Sequence, residues 1–208
     1  MKTAPFETHT LEYEEWFEIN KYVYESELEA VRLMLPKQGR GIEIGVGTGR
    51  FAAPLGIKLG VEPSPKMREI AEKRGIKVID SVAEKLPFGN ESFDYALMVT
   101  TLCFLDDVDV SFNEVYRILK PTGVFINGFV DKESRIGRMY EAHKQESPFY
   151  RIAKFYSVDE VVDHLEKVGF KDFEFNQTVF HELSDIKSIE PVKPGYGEGS
   201  FVTVKARK

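Results

Sequence analysis

The densest chemistry in the chain lies in the run Gly41-Ile42-Glu43-Ile44-Gly45-Val46-Gly47-Thr48-Gly49-Arg50. Glycines at the carboxyl end of a strand let the backbone turn tightly and approach a ligand closely. A turn of this kind also serves as a plain strand-to-helix connection. Two carboxylates favour the ligand reading. Glu43 interrupts an otherwise apolar strand, where an unpaired charge is costly. Glu62 follows 19 residues later, at the end of the next apolar stretch, where an acid can accept both hydroxyls of a ribose.

The spacing argues against the obvious competitors. A dinucleotide fingerprint wants glycines at positions 1, 3 and 6 of the loop, and counting from Gly45 the sixth position is Arg50. A nicotinamide-dependent reductase is disfavoured on that ground. The Lys-Ser/Thr pair of a phosphate-binding P-loop is missing as well. A pyrophosphate gains nothing from a carboxylate at Glu43, whereas a ligand bearing an ammonium group does.

These residues need a parallel sheet to position them. Strands are expected near 40–44, 58–61, 76–79, 95–99 and 124–130, alternating with helices. A helix is predicted from Ser26, with Ser26 and Glu29 at capping-box spacing, Leu28, Val31 and Leu35 as its buried stripe, and Pro36 as its stop. Ser64-Pro65 opens another, and Val108, Phe112, Val115, Tyr116 and Leu119 share one face of a third. Mostly apolar strands separated by helices call for a parallel sheet covered on both faces. Beyond 130 a polar helical stretch leads to a second capping box, Ser157 with Glu160, and a helix ending at Gly169. Two alternating strands near 172–181 and 200–206 close the chain, and strands without an intervening helix pair most simply as antiparallel neighbours. The expected architecture is α/β, a seven-stranded mixed sheet of five parallel strands and a C-terminal antiparallel pair, sandwiched between helices.

The 208 residues suffice for one domain. It is read as residues 1–37, an N-terminal helical cap; 38–130, a cofactor-binding core; and 131–208, substrate-side helices and closing strands. The net charge of −6 argues against a nucleic-acid partner. One cysteine rules out an intrachain disulfide, and none of the four histidines stands at ligand spacing with another, so no metal is expected. No apolar run is long enough to span a membrane, and the acidic, aromatic N-terminus does not read as a signal peptide, so a cytoplasmic protein is expected. Three Gln and five Asn among many Lys and Glu form a bias reported for heat-adapted proteins.

Taken in order, these stretches resemble the class I S-adenosylmethionine-dependent methyltransferases, in their small-molecule-type branch, and imply a Rossmann-like fold. The resemblance rests on Glu43-x-Gly45-x-Gly47-x-Gly49, on Gly60-Val61-Glu62-Pro63-Ser64, on Leu86-Pro87-Phe88 followed by Ser92-Phe93-Asp94, and on Leu119-Lys120-Pro121-x-Gly123. It implies that Glu43 attracts the methionine amino group and that Gly45, Gly47 and Gly49 let the backbone lie against the methionyl part. Glu62, followed by Pro63, would hold the ribose hydroxyls. Val82 and Ala83, within Ser81-Val82-Ala83-Glu84, would border the adenine, and Val99 with Thr100 would line the pocket under the sulfonium. Two departures stand out. Val82 occupies the place where family members usually carry an acid, so Asp80, Glu84, a backbone carbonyl or water must accept from the adenine amine. The interval from Gly49 to Glu62 is short and contains Pro54, which predicts a clipped crossover helix.

The implied activity is methyl transfer to a small or medium acceptor by direct displacement, which needs alignment and desolvation and no obligatory catalytic residue. A cofactor-binding protein of the same fold without methyl transfer is the rival. The stretch Val99-Thr100-Thr101-Leu102-Cys103-Phe104 lacks the Pro-Pro-aromatic signature of enzymes acting on exocyclic base amines, and Cys103 is not preceded by the proline of cytosine-carbon enzymes. Trp16, Phe17, Tyr22 and Tyr24 read either as the apolar face of a packed helix or, by resemblance, as part of a lid over the cofactor cleft. On the acceptor side the candidates are Trp16, Tyr22, Phe104, Tyr140, the pair Phe149-Tyr150, and His143 as a base.

Overall fold

A computed structural model describes residues 3–208. Three helices lead the chain, α1 (Ala4–Thr8), α2 (Thr10–Ile19) and α3 (Lys21–Met34). The core follows as β1 (Gly41–Ile44), α4 (Ala52–Leu55), β2 (Leu59–Val61), α5 (Pro65–Lys73), β3 (Lys77–Ile79), β4 (Phe93–Val99), α6 (Val108–Ile118) and β5 (Leu119–Val130). The remainder is α7 (Arg135–His143), α8 (Val158–Val168), β6 (Lys171–Thr178), β7 (Lys193–Pro194) and β8 (Phe201–Arg207).

The eight strands form one sheet in the order β3-β2-β1-β4-β5-β8-β6-β7. The first five are parallel neighbours, and β8 runs antiparallel to both β5 and β6. The seven-stranded expectation is therefore exceeded by β7, two residues beside Asn176 and Gln177, too short to leave a pattern in the sequence. β1 and β4 are buried almost throughout, because helices cover both faces of the sheet. One core gathers Ile42, Ile44, Phe112, Phe125 and Leu165, and the other Val31, Leu97, Ile126 and Phe201.

Local chemistry explains the boundaries that matter. α4 is four residues long and ends at Gly56, whose φ of 77° is open to glycine, so the first crossover is clipped as expected. Ser64 caps α5, accepting from Met67 N–H, with Pro65 in its first turn. Ser157 and Glu160 form a complete capping box on α8. The Ser26 cap fails. α3 already begins at Lys21, and the Ser26 hydroxyl, buried inside the helix, donates to Tyr22 O at 2.6 Å. The buried stripe of α3 is accordingly Val23, Ser26, Glu27, Ala30, Val31 and Met34. No helix of the described residues is long and apolar enough to cross a membrane.

Candidate functional site

The strand order reverses between β1 and β4, and crevices in open α/β sheets form at the carboxyl ends of strands at such a point. There the chain leaves β1 with Gly45 at φ 71°, and Gly45 and Val46 N–H both donate to Val61 O of β2, at 2.8 and 2.9 Å. A Cβ on Gly45 would lie 2.3 Å from Thr101 Cγ2, so glycine is required both by backbone conformation and by the packing of Thr101. The Thr101 hydroxyl donates to Gly45 O at 3.1 Å and ties the loop after β4 to the loop after β1.

Glu62 bridges the same region. Its two oxygens accept from Gly47 N–H at 3.0 Å and Ser64 N–H at 2.9 Å. Burial pushes its carboxyl up to about 7, although both backbone donors pull the other way. Glu43, 1% exposed, is pushed well above the usual carboxylate range by burial, against a hydrogen bond from Ala52 N–H, and its Oε2 finds no partner. Thr100 stands at φ 50°, an uncommon conformation for threonine, at the mouth of β4.

A cavity of about 310 Å³ opens from this loop, within the usual span for small-molecule sites of roughly 300–1,000 Å³. Of the residues expected to act, Gly45, Gly47, Glu62, Val99, Thr100, Trp16, Phe104, Tyr140, Phe149 and Tyr150 line it. Glu43, in β1, and Gly49, at the far end of the loop, do not line the cavity. A Cβ on Gly49 would meet Ile76 Cδ1 at 2.4 Å, so that glycine serves close packing against the helix and strand behind it. Pro63, Val82 and Ala83 lie outside the cavity wall, and Ala83 belongs to the core packed against Ile44 and Val61.

Two acceptor-side candidates do not reach the cavity. Tyr22 points to solvent, 41% exposed, because the buried stripe of α3 runs through Val23 and Ser26 instead. His143 lies exposed at the end of α7, with Nδ1 on Met139 O at 3.0 Å, and faces no cavity atom. Neither stand-in for the adenine-contacting acid is simple. Asp80 pairs with Arg68 at 2.9 Å, and Glu84 Oε1 accepts from Asp106 N–H at 2.9 Å, leaving a buried Glu84 Oε2 without partner.

Among the lining residues that the sequence reading did not name, Tyr13 and Glu27 bear most on the chemistry. Tyr13 of α2 places its hydroxyl 3.2 Å from the point where a Cβ on Gly47 would stand, so the N-terminal helices cover the glycine loop. Burial, reinforced by Glu62, Glu14 and Glu43, raises its phenol far above the ordinary range. Glu27 of α3 is the other. The one sequence signal of Glu27 was a carboxylate at a buried-stripe position, visible only once the start of α3 is known.

The cover is anchored at two points. The Glu7 carboxylate receives the Ser64 hydroxyl, and Lys66 Nζ donates to Glu7 O at 2.6 Å. Glu14 holds Arg50 at 2.7 Å and Arg74 at 2.5 Å. Arg50, the residue that spoiled the dinucleotide fingerprint, also lies over the Phe17 ring at 5.0 Å. It clamps α2 through Glu14 and Glu18.

Residues 42–127 match the family model for a methyltransferase domain. Over 99% of both chains, with a TM-score of 0.97 and 53% identity, the fold superposes on the crystal structure of a Thermotoga maritima protein described as a SAM-dependent methyltransferase and possible histamine N-methyltransferase. The chain belongs to the class I S-adenosylmethionine-dependent methyltransferases. An uncharacterised protein of Methanocaldococcus jannaschii is 48% identical, covering 98% of each chain. A Haemonchus contortus phosphoethanolamine N-methyltransferase, solved with S-adenosylhomocysteine, shares the fold alone at 18% identity and a TM-score of 0.65, over 88% of this chain and 52% of that one. The cofactor of this family member is S-adenosylmethionine. The residues present fit it: the unpartnered Glu43 Oε2 suits an ammonium through water or the glycine loop, and Glu62, although it already accepts two N–H groups, retains lone pairs for two hydroxyls.

Proposed function

We propose that the chain transfers the methyl group of S-adenosylmethionine to a small or medium-sized acceptor by direct displacement. One observation carries the reading: the cavity that starts at Gly45, Gly47 and Glu62 continues without a break into a chamber walled by Trp16, Phe104, Tyr140 and Tyr150. In this reading a cofactor half and an acceptor half share one cavity.

In this reading Glu43 and the turn from Gly45 to Gly49 hold the methionyl end, and Glu62 with Pro63 holds the ribose. Val82 and Ala83, which lie outside the cavity wall, are assigned to the adenine from the family resemblance alone, and Glu84 Oε2 is an unpartnered acceptor of that stretch. Val99 and Thr100 form the floor beneath the reacting centre, and residues 1–37 act as the lid. When bound, the cofactor supplies a methyl group on positively charged sulfur, a reaction that asks the protein chiefly for alignment and exclusion of water. Alignment comes from the Thr101 bond that locks the two loops together. Water is excluded by the aromatic walls and by Tyr13 over the loop.

The test is transfer of radiolabelled methyl from S-adenosylmethionine to a panel of small amines, phenols, thiols and carboxylic acids. Label in at least one acceptor, with S-adenosylhomocysteine formed in equal amount, is the expected outcome. Tight cofactor binding with no label in any acceptor would favour the non-catalytic binding protein instead.

A further inference from the structure

Glu27 lines the same cavity as Gly45 and Gly47, and the methyl-transfer reading gives it no part in holding the cofactor. It occupies the buried stripe of α3, is 5% exposed, and lines the chamber. Among the described residues no side chain or backbone group forms a hydrogen bond or ion pair with its carboxylate. Its neighbour Ser26, by contrast, is fully committed, donating to Tyr22 O and accepting from Glu190 N–H at 2.8 Å. The groups that feel the charge of Glu27 are Tyr140 and Tyr150, whose rings lie 4.7 Å apart and whose phenols are both pushed up by burial. Burial also raises the carboxyl of Glu27 to about 8.

A carboxylate enclosed by apolar walls with no partner is costly to keep unless a ligand satisfies it. In its ionised form the group is best satisfied by a ligand that brings a positive charge and N–H donors. No Lys, Arg or His is found among the described residues that line the chamber, so an acidic acceptor would meet a carboxylate and no cation. Faces of Trp16, Tyr140, Tyr150 and Phe155 suit an organic cation and its hydrocarbon body.

We propose that Glu27 recognises the acceptor, and that the acceptor is a primary or secondary amine on an apolar body. The inference rests on the methyl-transfer reading of the same cavity. The bound ammonium passes one proton to the Glu27 carboxylate, leaving a neutral amine beside a neutral acid, the favoured pair in an apolar chamber. The nitrogen lone pair then forms the N–C bond as the C–S bond breaks, and the C–S electron pair returns to sulfur. The positive charge moves from sulfur to the methylated nitrogen, and Glu27 releases its proton to solvent when the product leaves.

The test is calorimetric titration of the S-adenosylhomocysteine-loaded protein with phenethylamine and n-hexylamine, and with 2-phenylethanol and phenylacetate as matched neutral and acidic probes. Wild type should bind at least one amine about 10-fold or more tightly than the alcohol, and phenylacetate weakest. Glu27→Gln should weaken the amine about 30-fold or more while leaving S-adenosylhomocysteine and the alcohol within about two-fold. Glu27→Asp, which keeps the charge, should recover part of the loss. Amine binding unchanged in Glu27→Gln, an alcohol bound as well as the amine, or neither amine bound by the loaded wild type overturns the proposal and leaves the methyltransferase reading standing. Failure of wild type to load S-adenosylhomocysteine overturns both.

Discussion

In the absence of ligand, raising the pH from about 5 to 8 should lower the stability of the wild type, and Glu27→Gln should recover up to about 5 kcal/mol at pH 8. The reference value of a free Glu is 4.5, and burial holds Glu27 at about 8 in the folded chain. Between those values the unfolded chain has lost its proton while the folded chain keeps it. The unfolded state therefore binds fewer protons, and stability falls as pH rises, by about 1.4 kcal/mol per unit for one such group. Above about 8 the loss is complete and the curve flattens. Glu62, raised to about 7, and Glu43, also raised by burial, act in the same direction, so the variant should reduce the slope without abolishing it. Urea unfolding at pH 5, 6, 7 and 8 measures this. A Glu27→Gln protein no more stable than wild type at pH 8 would mean that the carboxylate is not buried as described.

Glu14→Ala should act through the cover. Burial alone would raise Glu14, but hydrogen bonds from Arg74 and then Arg50 outweigh it and hold the carboxyl at about 2. Its stabilising contribution is thus present above about 4.5 and lost as pH falls towards 2. Removing it leaves Arg50 with the carboxylate of Glu18, at 3.0 Å, and Arg74 with the Thr48 carbonyl, at 2.6 Å, in a site where the partners are 18–27% exposed. Loss of a fully buried pair costs about 3–5 kcal/mol, and partial exposure reduces the expectation to about 1–3 kcal/mol. Because Tyr13 is the adjacent residue on the same helix, the Gly47 loop should lose its cover as well. Amide exchange across residues 4–19 should quicken, and S-adenosylhomocysteine should bind about 10-fold more weakly. Exchange and affinity both matching wild type would show that the pair does not hold the cover in place.

Much of the scaffold was legible because its signals are local. Gly45, Gly47 and Gly49 at the end of an apolar strand, Glu62 at the end of the next, and serines at 64 and 157 act over a few residues, and the structure finds them where those rules put them. Capping went wrong at Ser26, where Glu29 three residues on mimics a box inside a helix that began at Lys21. That error moved the apolar stripe and hid Glu27, since a carboxylate off the stripe is an ordinary surface group. Tyr13 was hidden for another reason. Its role depends on α2 folding back over a loop more than 30 residues away, and no local pattern encodes that approach. His143 was favoured for its place after the fifth strand, yet the rotation of α7 turns it outward.

The central claim is tested most directly by calorimetric titration of the purified, ligand-stripped protein with S-adenosylhomocysteine, S-adenosylmethionine and NADH, repeated on Glu62→Ala. The account predicts micromolar binding of both adenosyl ligands, no NADH binding, and a loss of about 100-fold or more in the variant as two charge-assisted hydrogen bonds to the ribose disappear. Absence of adenosyl binding in the wild type, or NADH bound in its place, would contradict it.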